Sequence, residues 1–252
     1  MSETLPLFPL GTVLFPGLLL PLHIFEERYR QLVRDLQAGP EPRRFGVVAI
    51  RQGRETGVDG IQALYETGCT ATLRQVKELE DGRYDIVTVG TDRFRLTVQD
   101  DSKPYLQGTV DVLPEEIGGR AGAAEAARVV RDAFRAYLGA LAERGVTQIS
   151  APELPDDPVT LSYLVGASMI IDLSDRQTLL AEPDALHRLA AERSLLSREL
   201  TMLRTLTATP APDLRNSPYS SNRVAPIETR RPWRGRRALR DDGASHPGKG
   251  VR

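Results

Sequence analysis

Leu5-Pro6-Leu7-Phe8-Pro9-Leu10, then Val13-Leu14-Phe15-Pro16-Gly17-Leu18-Leu19-Leu20-Pro21-Leu22, then His23-Ile24-Phe25-Glu26-Glu27-Arg28-Tyr29-Arg30-Gln31-Leu32-Val33, is the stretch on which the fold turns. Its two apolar runs are punctuated by four prolines. Proline has no N–H and a fixed φ, so these runs cannot be central strands throughout; they suit edge or irregular strands with defined bends. An amphipathic helix follows at once. Leu22, Phe25, Tyr29, Leu32, Val33 and Leu36 recur at three and four residues and share one helical face, and Gly39-Pro40 ends it.

Outward from this block, residues 1–117 read as a β domain. Phe45-Gly46-Val47-Val48-Ala49-Ile50 is a short β-rich run. Gly68–Leu79 and Tyr84–Val89 flank Asp81-Gly82, a hairpin signal for a type I′ turn. Phe94, Leu96 and Val98 alternate with polar residues, as do Leu106, Gly108, Val110 and Val112, which predicts half-buried strands. Several short strands joined by turns suggest a closed or nearly closed antiparallel barrel.

The period changes over 118–208. Val130, Phe134, Tyr137 and Leu141 form a helical stripe ending near Gly145. Asp157-Pro158 is an N-cap with proline at the first helical position, and Ser174-Asp175-Arg176-Gln177 fits a capping box. Leu186, Leu189, Leu196, Leu200 and Leu203 define a last, long helix. Such helices are marginal alone in water and are expected to pack as a bundle, also against the barrel. Over 209–252 proline, serine and arginine dominate, apolar side chains are few, and disorder is expected.

The residues quoted above resemble the Lon protease N-terminal (substrate-binding) domain family in its small, stand-alone form. The resemblance is carried by Leu5–Leu10, Leu14-Phe15-Pro16-Gly17, Pro21-Leu22-His23-Ile24-Phe25-Glu26 and Arg28-Tyr29. Phe45-Gly46-Val47-Val48, Gly68, Asp81-Gly82-Arg83 and Gly90-Thr91-Asp92-Arg93-Phe94 extend it, so that it covers about residues 5–206. It implies an α+β fold: a PUA-like antiparallel β pseudobarrel, then an α-helical bundle, then the disordered tail. It further implies recognition of unfolded or tagged polypeptide, with an adaptor role beside a separate protease.

The chemistry of full-length Lon is not written in this chain. Its three lysines are Lys77, Lys103 and Lys249, and none sits in a G-x-x-x-x-G-K-[ST] phosphate loop. Ser102-Lys103 is adjacent in sequence, but a Ser–Lys peptidase needs a sheltered lysine of depressed pKa, and this pair falls in a polar turn. The three histidines lie on different segments, and Cys69 is the only cysteine, so metal sites and internal disulfides are not expected. The reading is therefore a non-catalytic binding protein with no cofactor. Pro16 and Pro21 break the longest apolar run well short of a membrane span and no basic segment precedes it, so a cytoplasmic location is expected.

Phe15, Leu18, Leu19 and Phe25 are the candidate substrate-binding residues, because the apolar run exceeds what strand alternation requires. An apolar cleft beside an unpaired strand edge could take an extended chain as an added strand. Glu26, Arg28, Tyr29 and Arg93 are a candidate polar rim or a structural ion pair, with Glu26–Arg93 the expected pairing. The net charge of −1 divides unevenly: residues 210–252 hold ten Arg/Lys against four Asp/Glu. Within them Arg230, Arg231, Trp233, Arg234, Arg236 and Arg237 have the chemistry of a nucleic-acid contact, guanidinium on phosphate and indole on base. RNA binding is thus the alternative function.

Overall fold

The structure is a computed structural model that describes residues 2–53, 61–146 and 153–208. Seven strands come first in the chain, with one helix among them: β1 (Ser2–Leu10), β2 (Leu19–Ile24), α1 (Glu27–Ala38), β3 (Arg44–Gly53), β4 (Ile61–Leu64), β5 (Thr67–Glu78), β6 (Tyr84–Asp100) and β7 (Gln107–Val112). Four helices follow: α2 (Arg120–Ala142), α3 (Pro158–Ser168), α4 (Leu173–Ala181) and α5 (Ala185–Ala208). Met1–Thr209 forms one compact unit. The expected disorder over 209–252 lies outside the described residues.

The proline-rich β1 closes the barrel by changing partners. Ser2–Pro6 pair antiparallel with β7, and Leu7–Leu10 pair parallel with β3. The order β1-β7-β6-β5-β3 therefore returns to β1, and the barrel expected to be antiparallel carries one parallel link. The 17-residue β6 is shared in the same way: Tyr84–Val89 pair with β2, and Phe94–Asp100 pair with β7. Toward one end of the barrel, β2 has no second strand beside it among the described residues.

The first helix and the hairpin turn also depart from the sequence expectations. The first helix starts at Glu27; Leu22 belongs to β2, and Phe25 stands in the connection before the helix. The turn at Asp81-Gly82 has three residues. Gly82 N–H donates to Leu79 O (2.9 Å), Leu79 N–H donates to Arg83 O (2.8 Å), and Gly82 takes positive φ, at 75°. This is a type I turn closed by a bulge glycine, a common three-residue hairpin connection.

Three clusters fill the molecule. Leu5, Leu7, Val48, Phe94, Leu96 and Val110 pack together inside the barrel. Phe8, Phe45, Ile86 and Tyr84 pack under the α1 side chains Tyr29, Leu32, Val33 and Leu36. Val130, Phe134, Tyr137, Leu161, Leu179, Leu189 and Leu196 form the bundle core. Asp157 caps α3 as its sequence predicts, accepting from Thr160 N–H at 2.8 Å. The capping box at Ser174 does not form. Asp172 precedes α4, and Gln177 instead donates to Thr67 O (2.8 Å), which ties α4 to β5.

Candidate functional site

The motif segments meet where the barrel joins the helices. Gly17 N–H donates to Gly90 O (2.8 Å) and Gly90 N–H to Leu18 O (2.9 Å), so the β1–β2 connection lies flat on β6. A Cβ at position 90 would collide with the carbonyl oxygen of Phe15. Phe15 is fully buried and reaches into the bundle core, with its ring 6.1 Å from that of Tyr163. Such burial is worth about 1.5–3 kcal/mol, which explains an aromatic here in structural terms. Phe15 is therefore corrected from a substrate contact to an anchor between the barrel and the helices. Leu18 is half-buried and packs against both neighbouring cores.

Of the two expectations for Arg93, polar rim or structural ion pair, the side chain takes the interior position of the second, with a different partner. Its guanidinium is buried and donates to four carbonyls: Leu180 (3.0 Å), Glu182, Pro114 (3.3 Å) and Pro183 (3.3 Å). Its carboxylate partner is Glu115, 3.4 Å from Nε, and not Glu26. A cation among carbonyls at the C-terminal end of α4 also meets the negative end of that helix. Glu115 further accepts from Arg188 Nη2 (3.1 Å) and from the Tyr163 hydroxyl. Arg188 lies 3.9 Å above the Tyr163 ring and donates from Nε to Ser162 (2.8 Å). Burial pushes the Tyr163 phenol up, against the pull of Arg188.

The remaining motif residues border an apolar groove. It holds about 160 Å³ and runs between the end of β1 and β2, lined by Phe8, Leu10, Leu22, Ile24, Phe25 and Tyr29 among others. Phe8 and Tyr29 stack at 4.1 Å and form its floor. Phe25 stands 55% exposed at its mouth. Glu26, which lines the groove, forms an ion pair with Arg28 at 2.8 Å, and Arg28 lies 4.6 Å over the ring of the buried Tyr29. On the outer face of β2, Leu19 is 68% exposed. It sits opposite Val89, and Pro21 sits opposite Val87, which extends the apolar surface onto β6. His23 Nδ1 lies 2.7 Å from Asp85, and Arg83 Nη1 lies 3.3 Å from His23 Nε2, bounding that surface with charge. The contribution of Val87 and Val89 was not visible in sequence, because it depends on the β2–β6 register.

The structure brings together no catalytic pair at Ser102. Its hydroxyl donates to Asp100 (2.9 Å), while Lys103 Nζ donates to Tyr105 OH (3.1 Å) and lies 3.6 Å from Asp35. The Tyr105 contact raises the Lys103 pKa, opposite to what a serine-activating base needs. Cys69 is buried, and its thiol pKa is raised by that burial. No His/Cys/Asp/Glu cluster among the described residues could hold a metal ion, and no described helix is long and apolar enough to cross a membrane. Arg230, Arg231, Trp233, Arg234, Arg236 and Arg237 lie outside the described residues.

Residues 4–198 match the family model described as the ATP-dependent protease La (LON) substrate-binding domain. Lon protease 1 of Herpetosiphon aurantiacus is 28% identical over 205 residues, covering 77% of this chain and 24% of that protein. Lon protease of Desulfovibrio desulfuricans is 27% identical over 202 residues, covering 79% and 23%. The chain thus spans about a quarter of the length of the curated relatives it matches. Among solved structures, a Lon N-terminal domain protein from Xanthomonas campestris superposes with a TM-score of 0.54 at 25% identity, covering 77% of this chain and 98% of that one. The N-terminal domain of Mycobacterium avium complex Lon protease gives 0.56 at 18% identity over the same shares, a likeness of fold.

Proposed function

This chain belongs to the LON substrate-binding domain family, and from that premise we propose that its folded body recognises unfolded or tagged polypeptide. The contact surface is the groove beside Phe25 together with the outer face of β2 and β6. One observation carries this reading: Phe25, a large apolar side chain, stands mostly exposed at the mouth of an apolar groove, while Leu19 stands mostly exposed on the outer face of β2. Exposed contiguous apolar surface rimmed by charge is the character of an interaction site.

An extended segment can also add to the unpaired edge of β2. Pro21 removes one donor from that edge, so apolar side-chain contacts carry most of the affinity. The role is non-catalytic. In a cell such a domain serves as an adaptor, holding a client for a separate protease.

The test is fluorescence anisotropy of a labelled, permanently unfolded polypeptide titrated with the full chain. Saturable binding is expected, weakened about tenfold or more in Phe25→Ala, as for an interface anchor. Because Phe25 is exposed, the melting temperature of the variant should stay at the wild-type value. Equal binding by Phe25→Ala would remove the groove from the reading. Binding of RNA alone, lost on raising salt, would favour the basic segment around Trp233 instead.

A further inference from the structure

On the other side of α1 a second cleft, of about 340 Å³, lies between the α1–β3 connection and β5. Its polar lining is Gln37, Glu41, Arg43, Thr72 and Arg74. Leu73 N–H donates to Arg43 O (2.9 Å), which sets Arg43 opposite Leu73 just before the β3–β5 ladder begins, and Arg43 and Arg74 both line the cleft. Neither guanidinium has an ion-pair or hydrogen-bond partner among the described residues, and the Arg43 Nε is buried without one. By contrast, Arg28, Arg30, Arg34, Arg44 and Arg83 on the same domain each meet a carboxylate, although a buried Nε without a hydrogen-bond partner recurs at Arg30, Arg93, Arg131 and Arg176. A buried, unpaired guanidinium nitrogen forfeits its hydration without compensation.

We infer that this cleft binds a phosphoryl group. One guanidinium fork saturates a planar carboxylate, whereas two forks, one from the α1–β3 connection and one from β5, with the Thr72 hydroxyl and the Gln37 amide, supply donors for three terminal oxygens. The cleft is larger than a phosphate ion and leaves room for the molecule that carries it. Glu41, the one carboxylate in the lining, repels the anion and sets how weakly it is held. The site is separate from the Phe25 groove and does not rest on the polypeptide reading.

The experiment is calorimetric titration of the full chain with inorganic phosphate, against chloride and acetate at matched ionic strength. Saturable phosphate binding with no acetate or chloride counterpart is expected. Arg74→Ala, at an exposed position, should weaken it about tenfold or more, as loss of a charged hydrogen-bond donor does, and Arg43→Gln similarly. Glu41→Gln should tighten it several-fold, a gain that misfolding cannot produce. Equal responses to phosphate and chloride would overturn the inference, as would wild-type affinity in Arg74→Ala and Arg43→Gln or no gain in Glu41→Gln.

Discussion

Glu192 is fully buried on α5, and neither carboxyl oxygen has a hydrogen-bond partner among the side-chain and backbone groups described. Gly166 packs so closely that a Cβ there would lie 3.3 Å from Oε1. Burial pushes its pKa well above the usual 4.5, and Arg188 one turn earlier and the nearby Gly166 backbone offset this only in part. The sign follows from linkage. Below the unfolded value both states hold the proton; above it the unfolded chain releases the proton and the folded one keeps it, so stability falls as pH rises. Glu192→Gln should remove that slope. Urea midpoints from about pH 5 to about pH 8 should show the variant gaining on the wild type as pH rises. Parallel curves would contradict the argument. Neither Glu192 nor the true partner of Arg93 was legible in the sequence. Arg93 is held by carbonyls from residues some 90 positions away, and every residue carries a carbonyl, so no side-chain pattern marks them.

At the scale of elements, the sequence was read correctly where local chemistry decides. The α3 cap at Asp157-Pro158 is such a case, as are the α1 face from Tyr29 to Leu36 and the proline-bent entry strand. It failed where two periods coincide. Leu22 and Phe25 fall at helical spacing from Tyr29, yet Leu20, Leu22 and Ile24 also alternate, and pairing with β6 selects the strand. The groove was half legible for the same reason: its composition was visible, but which side chains face water depends on that pairing. Pro21 has a further role. A proline on an unpaired edge denies a donor to a neighbouring copy. Pro21→Thr should restore that donor and increase self-association at high concentration, detected as growing light scattering. Scattering unchanged from wild type would show that the edge is guarded by something else.

At the scale of the whole molecule, barrel and helices are joined by polar contacts as well as by Phe15. Arg93, Glu115 and Gln177 each reach from one layer to the other. Arg93→Met should therefore destabilise by about 3 kcal/mol, because it leaves buried carbonyls without a donor and removes one of the cations facing Glu115. Denaturation followed through helix and strand signals should shift together, since Met1–Thr209 is a single unit. A shift confined to the helical signal would mean that the layers unfold separately. The divided pairing of β1 has a consequence in time. Its second half can find β3 once residue 49 has been made, but its first half must wait for β7, with Ser2 opposite Asp111. As the chain leaves the ribosome, Leu5 stays unsheltered for about a hundred residues of synthesis, so ring closure comes late and the nascent barrel is itself an unfolded apolar segment for that interval.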